Sequence, residues 1–253
     1  MSVTALRIDA ACRQLKMPGM ARAWQELLRD AEATGVPTDR LLAELLEVEL
    51  NNRRENAYRE RLRDARFPAP KTLDTYDFTA QPSVNKSLVL ALAKGGHIHE
   101  GMNVCLAGDT GTGKTHLAIA LGIAAIGEGF RVRFVPAVNL VSELLAAAGE
   151  NQLPRAIRAW RRFGLLICDD LGYIPLSREG AQCLFQLVAD RYEHGRSLLV
   201  TTNLPYARWT EVLGDAQMTV ALLDRFTHRI HTVEFTGQSY RFRESLKRQR
   251  DSS

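Results

Sequence analysis

The sequence predicts an α/β fold: a parallel five-stranded sheet with interleaved helices, preceded by a small all-α segment. Three observations lead there. From about residue 75, short apolar runs alternate with helix-like stretches, the pattern of a parallel sheet. One of these runs leads directly into a glycine-rich segment and then a helix-like stretch. Before residue 66, apolar residues recur at helical rather than alternating spacing.

In the first 66 residues, Met20, Trp24, Leu27 and Leu28 fall on one helical face. Gly35-Val36-Pro37 breaks that helix, and Thr38 or Asp39 is placed to cap the next, which carries Leu41, Leu42, Leu45 and Leu46. Residues 51–66 are dense in Arg and Glu. Such a run is either a solvated face laced by i,i+4 pairs or a surface for a protein partner or DNA. Phe67-Pro68-Ala69-Pro70 reads as a joint. The expected organisation is a helical partner or assembly domain over 1–66, a linker over 67–76 and an α/β domain over 77–253. Its candidate strands are 103–107, 131–135, 165–169, 198–202 and 231–235.

Composition narrows the class. Of 253 residues, 45% are hydrophobic and 25% charged, as in an ordinary globular chain and not a disordered one. No run approaches the roughly 20 apolar residues that span a bilayer, so no membrane association is expected. The first residues carry charges within their apolar pattern and predict no signal peptide. Cys12, Cys105, Cys168 and Cys183 are far apart and suggest neither zinc nor a redox pair; a reducing cytoplasm fits them. A net charge of +4 permits a nucleic-acid partner without requiring one.

The glycine-rich segment is specific. Gly108-Asp109-Thr110-Gly111-Thr112-Gly113-Lys114-Thr115 follows the apolar run 104–107 and precedes the helix-like run that starts at His116. This is GxxxxGK[ST] in strand–loop–helix context. Glycines let successive backbone N–H groups point at phosphate oxygens, and the helix N-terminus adds its positive end. Lys114 reaches the β- and γ-phosphates, and the Thr115 hydroxyl ligates Mg²⁺. The expected ligands are ATP and Mg²⁺.

Leu165-Leu166-Ile167-Cys168 ends in Asp169-Asp170, an acidic strand end about 50 residues after the loop. Asp169 is expected to hold Mg²⁺, and Asp170 to orient or deprotonate the attacking water. Leu198 to Asn203 is an apolar strand with a polar end. The carboxyl ends of parallel strands face the ligand crevice, so Asn203 can bond the γ-phosphate or the water. Asp224-Arg225-Phe226 closes a helix-like run over 219–227. Arg225 and Arg229 both have the charge to serve a neighbouring subunit's γ-phosphate. Beyond the last strand, Arg241 is a candidate second sensor.

Together GDTGTGKT, LLICDDLG, LLVTTNLP, LLDRFTHR and GQSYR resemble the IstB family of transposition helper ATPases, relatives of the DnaC helicase loaders. The resemblance extends over nearly the whole chain, including FPAPKTLDTYDF and RYEHGRS. It implies an AAA+ P-loop fold with a minimal or absent helical lid. It also implies a homo-oligomer with ATP at subunit interfaces, assembly on double-stranded DNA, and recruitment and stimulation of a cognate, IstA-like transposase. By motif, Asn203 matches sensor 1, Arg225 the trans-acting arginine and Arg241 the sensor 2 arginine. Relatives of this clade carry a DNA-contacting helical insertion between the second and third strands. There Arg155, Arg158 and Arg162 share one helical face, either as phosphate contacts or as the solvated side of a helix that packs Ile157 and Trp160 inward. The competing function is a DnaC-like replicative helicase loader, which shares the core and differs in its N-terminal domain.

Overall fold

A computed structural model describes residues 2–237 and 239. The chain divides into two compact units, Met1–Glu60 and Arg61–Ser253.

The first unit is helical. It contains α1 (Val3–Gln14), α2 (Pro18–Thr34) and most of α3 (Thr38–Ala65). Ser2 caps α1 by accepting the Ala5 N–H at 3.1 Å. Pro18 opens α2, where a missing N–H costs nothing, and Gly35 closes it with φ of 69°. The orphan N–H groups at the start of α2 are satisfied by a side chain from α3: Glu49 Oε2 accepts from Gly19 at 2.8 Å and Met20 at 3.2 Å. Trp24 Nε1 donates to Asp9 Oδ1 at 2.9 Å, tying α2 to α1.

On α3, Leu45 and Glu49 are buried and Leu41 is half-buried, whereas Leu42 is 53% and Leu46 45% exposed. Leu41 and Leu45 lie about 100° around the helix from Leu42 and Leu46, so the first pair turns inward and the second outward. Arg40–Glu44 and Arg59–Glu55 form the i,i+4 pairs of a solvated face.

The second unit has the predicted sheet: β1 (Asn103–Gly108), β2 (Val132–Pro136), β3 (Leu165–Leu171), β4 (Ser197–Thr202) and β5 (Ile230–Phe235). All pairings are parallel, in the order β2-β3-β4-β1-β5. Among the described residues eight α-helices accompany it: α4 (Lys86–Ala93), α5 (Gly96–His99), α6 (Lys114–Gly127), α7 (Ala137–Gly149), α8 (Leu153–Arg161), α9 (Arg178–Glu193), α10 (Thr210–Leu213) and α11 (Ala216–Thr227). The strand ends differ from the sequence reading by one or two residues, the ordinary uncertainty of a strand boundary.

Strands β1 to β4 are buried along most of their length on both faces, which explains their apolar runs, whereas the edge strand β5 exposes Thr232 and Glu234. Leu166 and Cys168 of β3 and Leu198 and Val200 of β4 join one core cluster with Leu140 and Leu144 of α7, Trp160 of α8, Leu184 of α9 and Phe226 of α11. The alternate residue Ile167 points to the opposite face, toward α6, where a Cβ on Gly122 would meet its Cδ1 at 2.8 Å. Fully buried Arg191 of α9 donates to the carbonyls of Trp160, Phe163 and Gly164, satisfying the end of α8 without a carboxylate. All four cysteines are free and buried. No helix among the described residues is long and apolar enough to cross a membrane.

Candidate nucleotide site

With β4 between β3 and β1, the order brings three carboxyl ends side by side: the loop after β1, Asp169-Asp170 at the end of β3, and Asn203 just past β4. Between them is a cavity of about 580 Å³ lined by Thr110, Gly111, Gly113, Lys114, Thr115, His116, Asp170 and Asn203. Pro68, Ala69, Lys71, Ile119 and Tyr173 complete its wall.

Gly113 caps α6 at φ of 101°, and Gly108 leaves β1 at φ of 147°, where a Cβ would lie 2.2 Å from the Phe235 carbonyl oxygen. The second position leaves no room for a side chain against β5. The Lys114 ammonium donates to the carbonyls of Gly108 at 2.7 Å and Asp109 at 2.8 Å. Thr112 is buried and donates to the Asp109 carbonyl at 2.7 Å, bracing the loop from within. Gly108 and Asp109 line a neighbouring cavity with Asn203, Tyr206 and Glu234.

The two acidic residues part company. Asp169 is 6% exposed and accepts from Thr115 Oγ1 at 3.0 Å, while Asp170 is exposed and lines the cavity. The cause is local. Asp170 has φ of 56°, a left-handed conformation that Asp tolerates better than most residues, and the β3–β4 register shifts between Cys168 and Leu171. The resulting bulge sends one carboxylate down toward Thr115 and the next outward. Burial raises the Asp169 carboxyl above its ordinary range. The Thr201 hydrogen bond opposes that rise, the Asp170 charge adds to it, and Thr115 and Lys114 oppose it.

The Thr115 hydroxyl and Asp169 carboxylate are oxygen donors already in contact, which suits a small hard cation. Among the described residues no three or more His, Cys, Asp or Glu converge on a metal position.

Sequence reasoning missed three contributors. Thr201 donates to Asp169 Oδ1 at 2.7 Å and accepts the Asp170 N–H at 2.8 Å. A second hydroxyl inside a strand carries no motif. Tyr76 and Lys71 belong to the stretch read as a linker. Tyr76 is 8% exposed, with its ring edge-on to His116 at 5.3 Å. It lines a second cavity of about 370 Å³ with Lys71, Gln81, Thr112, Gly113 and His116. His116 Nε2 lies 3.2 Å from Thr75 Oγ1 and 3.3 Å from the Thr72 carbonyl oxygen.

The remaining candidates are spread out. Arg225 lies on α11, donates to the Ala221 carbonyl at 2.8 Å, packs over Phe185 and does not line the cavity of its own chain. Arg229 is exposed. Arg155, Arg158 and Arg162 are exposed on and just after α8, whose Ile157 and Trp160 are buried, so one helix has both the solvated arginine face and the packed apolar face. Arg241 lies outside the described residues.

A family model for IstB-like ATP binding proteins matches residues 10–248. A protein of Pseudomonas aeruginosa named for ATP binding in insertion sequence IS21 is 37% identical over 240 residues, covering 95% of this chain and 90% of that one. A counterpart in insertion sequence IS5376 of Geobacillus stearothermophilus is 35% identical, covering 94% of both chains. Among solved structures, the DnaC helicase loader superposes with a TM-score of 0.53 at 23% identity, over 65% of this chain and 96% of that one. The replication initiator DnaA bound to AMPPCP and single-stranded DNA gives 0.56 at 21% identity, over 72% and 56%. These two likenesses show the fold alone. The match along nearly the whole sequence, together with the phosphate loop in its strand–helix setting, shows that the chain belongs to the family of IstB-like ATP-binding proteins.

Proposed function

We propose that this protein is the ATP-hydrolysing helper of an insertion sequence, assembling on duplex DNA with ATP between subunits and recruiting its transposase. The observation that carries the reading is the convergence of Lys114, Asp170 and Asn203 on one cavity, with Thr115 and Asp169 in contact at its edge. The loop N–H groups and Lys114 hold the phosphates. Thr115 and Asp169 would hold Mg²⁺, which would supply charge neutralisation at the phosphates. Asp170 accepts a proton from the attacking water, and Asn203 orients that water or the γ-phosphate.

Among the described residues no arginine lines the cavity, and Arg225, or Arg229 beside it, acts on the site of a neighbouring subunit. Arg155, Arg158 and Arg162 form the DNA-facing surface, and the N-terminal helices the partner and assembly domain, in the cytoplasm where the transposase and DNA are. A linker over 67–76 and an ATPase domain from 77 remain the functional division we infer.

Light scattering with a duplex of about 60 base pairs and a matched single strand, with ATP and without, tests this assembly. ATP-dependent particles are expected on the duplex, with assembly or turnover lost in Arg225→Ala. Preference for the single strand overturns the transposition reading in favour of a helicase loader. Replacing Arg155, Arg158 and Arg162 together is expected to reduce the salt slope of binding by about 0.9 per lost phosphate contact. An unchanged slope removes α8 from the DNA surface.

A further inference from the structure

The stretch from Phe67 to Gln81 is built into the surroundings of the phosphate loop. Phe67 anchors its start, its ring 6.1 Å from Phe134 and packed so closely on α6 that a Cβ at Gly122 would meet it at 2.8 Å. Farther along, the Thr72 carbonyl and Thr75 hydroxyl hold His116, the first residue after the phosphate-loop motif. Tyr76 then packs over the loop, 3.4 Å from where a Gly113 Cβ would be. The backbone on both sides of Lys71 is therefore fixed to α6 and the loop.

Lys71, Gly113 and His116 are the residues that line both cavities. The larger cavity has Lys114, Thr115, Asp170 and Asn203, the chemistry of a terminal phosphate and its water. The smaller has Tyr76, Ala80 and Gln81, the aromatic, apolar and amide chemistry of a nucleoside. A chain of phosphates running from one to the other passes the junction where Lys71 is found. Among the described residues of the larger cavity, Lys71 and Lys114 are the lysines, and there are no arginines. Among the described residues no carboxylate forms an ion pair with Lys71. Its position close to His116 is also felt there: burial is the main cause holding the His116 imidazole below its ordinary value, and the Lys71 charge adds to it.

We propose that Lys71 is a second phosphate-binding cation of the site, supplied by the strap before the sheet and directed at the phosphates nearest the nucleoside. The proposal rests on reading the loop as an ATP site. Lys114 serves the terminal end of the chain; Lys71 serves the part common to ATP and ADP. The strap thereby becomes part of the ligand site instead of a passive joint.

Isothermal titration of the full chain with MgATP and with MgADP tests it. Lys71→Gln is expected to weaken both ligands by the same factor, about tenfold, the scale of one charge-assisted contact. Lys71→Arg is expected to keep most of the affinity. Lys94→Gln, which removes an exposed lysine that lines neither cavity, is expected to change little and controls for net charge. Lys71 is exposed, so none of these changes threatens folding. If Lys71→Gln binds both ligands like Lys94→Gln while Lys114→Ala loses ATP, the Lys71 contact is wrong and the ATP site stands. If Lys114→Ala also binds ATP normally, the reading of the loop fails and the proposal with it. Weakening of ATP alone overturns the assignment to the shared phosphates.

Discussion

The buried Thr201 hydroxyl and the Asp169 carboxylate are hydrogen-bonded at 2.7 Å across the β3–β4 pairing, and the same hydroxyl oxygen accepts the Asp170 N–H at 2.8 Å. One side chain on the neighbouring strand thus holds the Asp169 carboxylate and the bulge that turns Asp170 outward. Thr201 is wholly buried and touches no part of the cavity itself.

Thr201→Val keeps the shape and removes both bonds. It is expected to destabilise the protein by about 1–3 kcal/mol, the cost of leaving a buried partner unsatisfied. ATP turnover is expected to fall more than ATP affinity, because the Asp170 carboxylate loses its aim while the phosphate loop is untouched. Thr201→Ser is expected to recover most of the turnover. Thermal unfolding with single-turnover phosphate release measures both effects; equal losses in affinity and turnover argue against an aiming role.

Asp169→Asn is expected to stabilise the ligand-free protein at pH 7 while abolishing Mg²⁺-dependent turnover. The Asp169 carboxyl is raised above its unfolded value of 3.8, so the native state binds the extra proton between the two values. The associated stability is full below the unfolded value and is lost as pH rises through the folded one. Removing the charge removes that loss. A melting temperature that rises at pH 7 and shows no gain below about pH 4 is the signature; a lower melting temperature at pH 7 contradicts it.

His97 is 7% exposed, and burial, with His231 nearby, lowers its imidazole from 6.5 to about 4. The unfolded chain therefore binds the extra proton between these values. The stability contribution is full above pH 6.5 and is lost as pH falls toward 4. At pH 5 the loss amounts to about 2 kcal/mol. His97→Gln is expected to remove this acid-sensitive component. Urea unfolding at pH 7.5 and pH 5 measures it; identical pH dependence in both proteins assigns the effect to other groups.

Gly122→Ala is expected to cost about 1–3 kcal/mol by overpacking, since its Cβ would meet Ile167 and Phe67 at 2.8 Å each. Because Phe67 anchors the strap, ATP affinity is expected to weaken as well. Pairing the change with Phe67→Leu is expected to restore part of both, and strictly additive losses exclude a shared contact.

The sequence by itself determined the sheet, the phosphate loop and the acidic strand end. Each depends on neighbours along the chain: an apolar run of strand length, glycines where the backbone must turn toward an anion, and a lysine and hydroxyl at the helix start. It did not determine which residues of α3 lie inward, because Leu41, Leu42, Leu45 and Leu46 fit one broad helical face and only tertiary packing decides that Leu45 is buried and Leu46 is not. Nor did it separate Asp169 from Asp170, whose division follows from a left-handed residue and a register shift against β4. Thr201, Lys71 and Tyr76 became part of the site only in three dimensions. Strand order brings Thr201 beside β3, and the docking of the strap on α6 brings Lys71 and Tyr76 to the loop. Local conformational preference is written in adjacent residues; partnership between distant ones depends on which surfaces meet, and that is decided by the packing of the whole core.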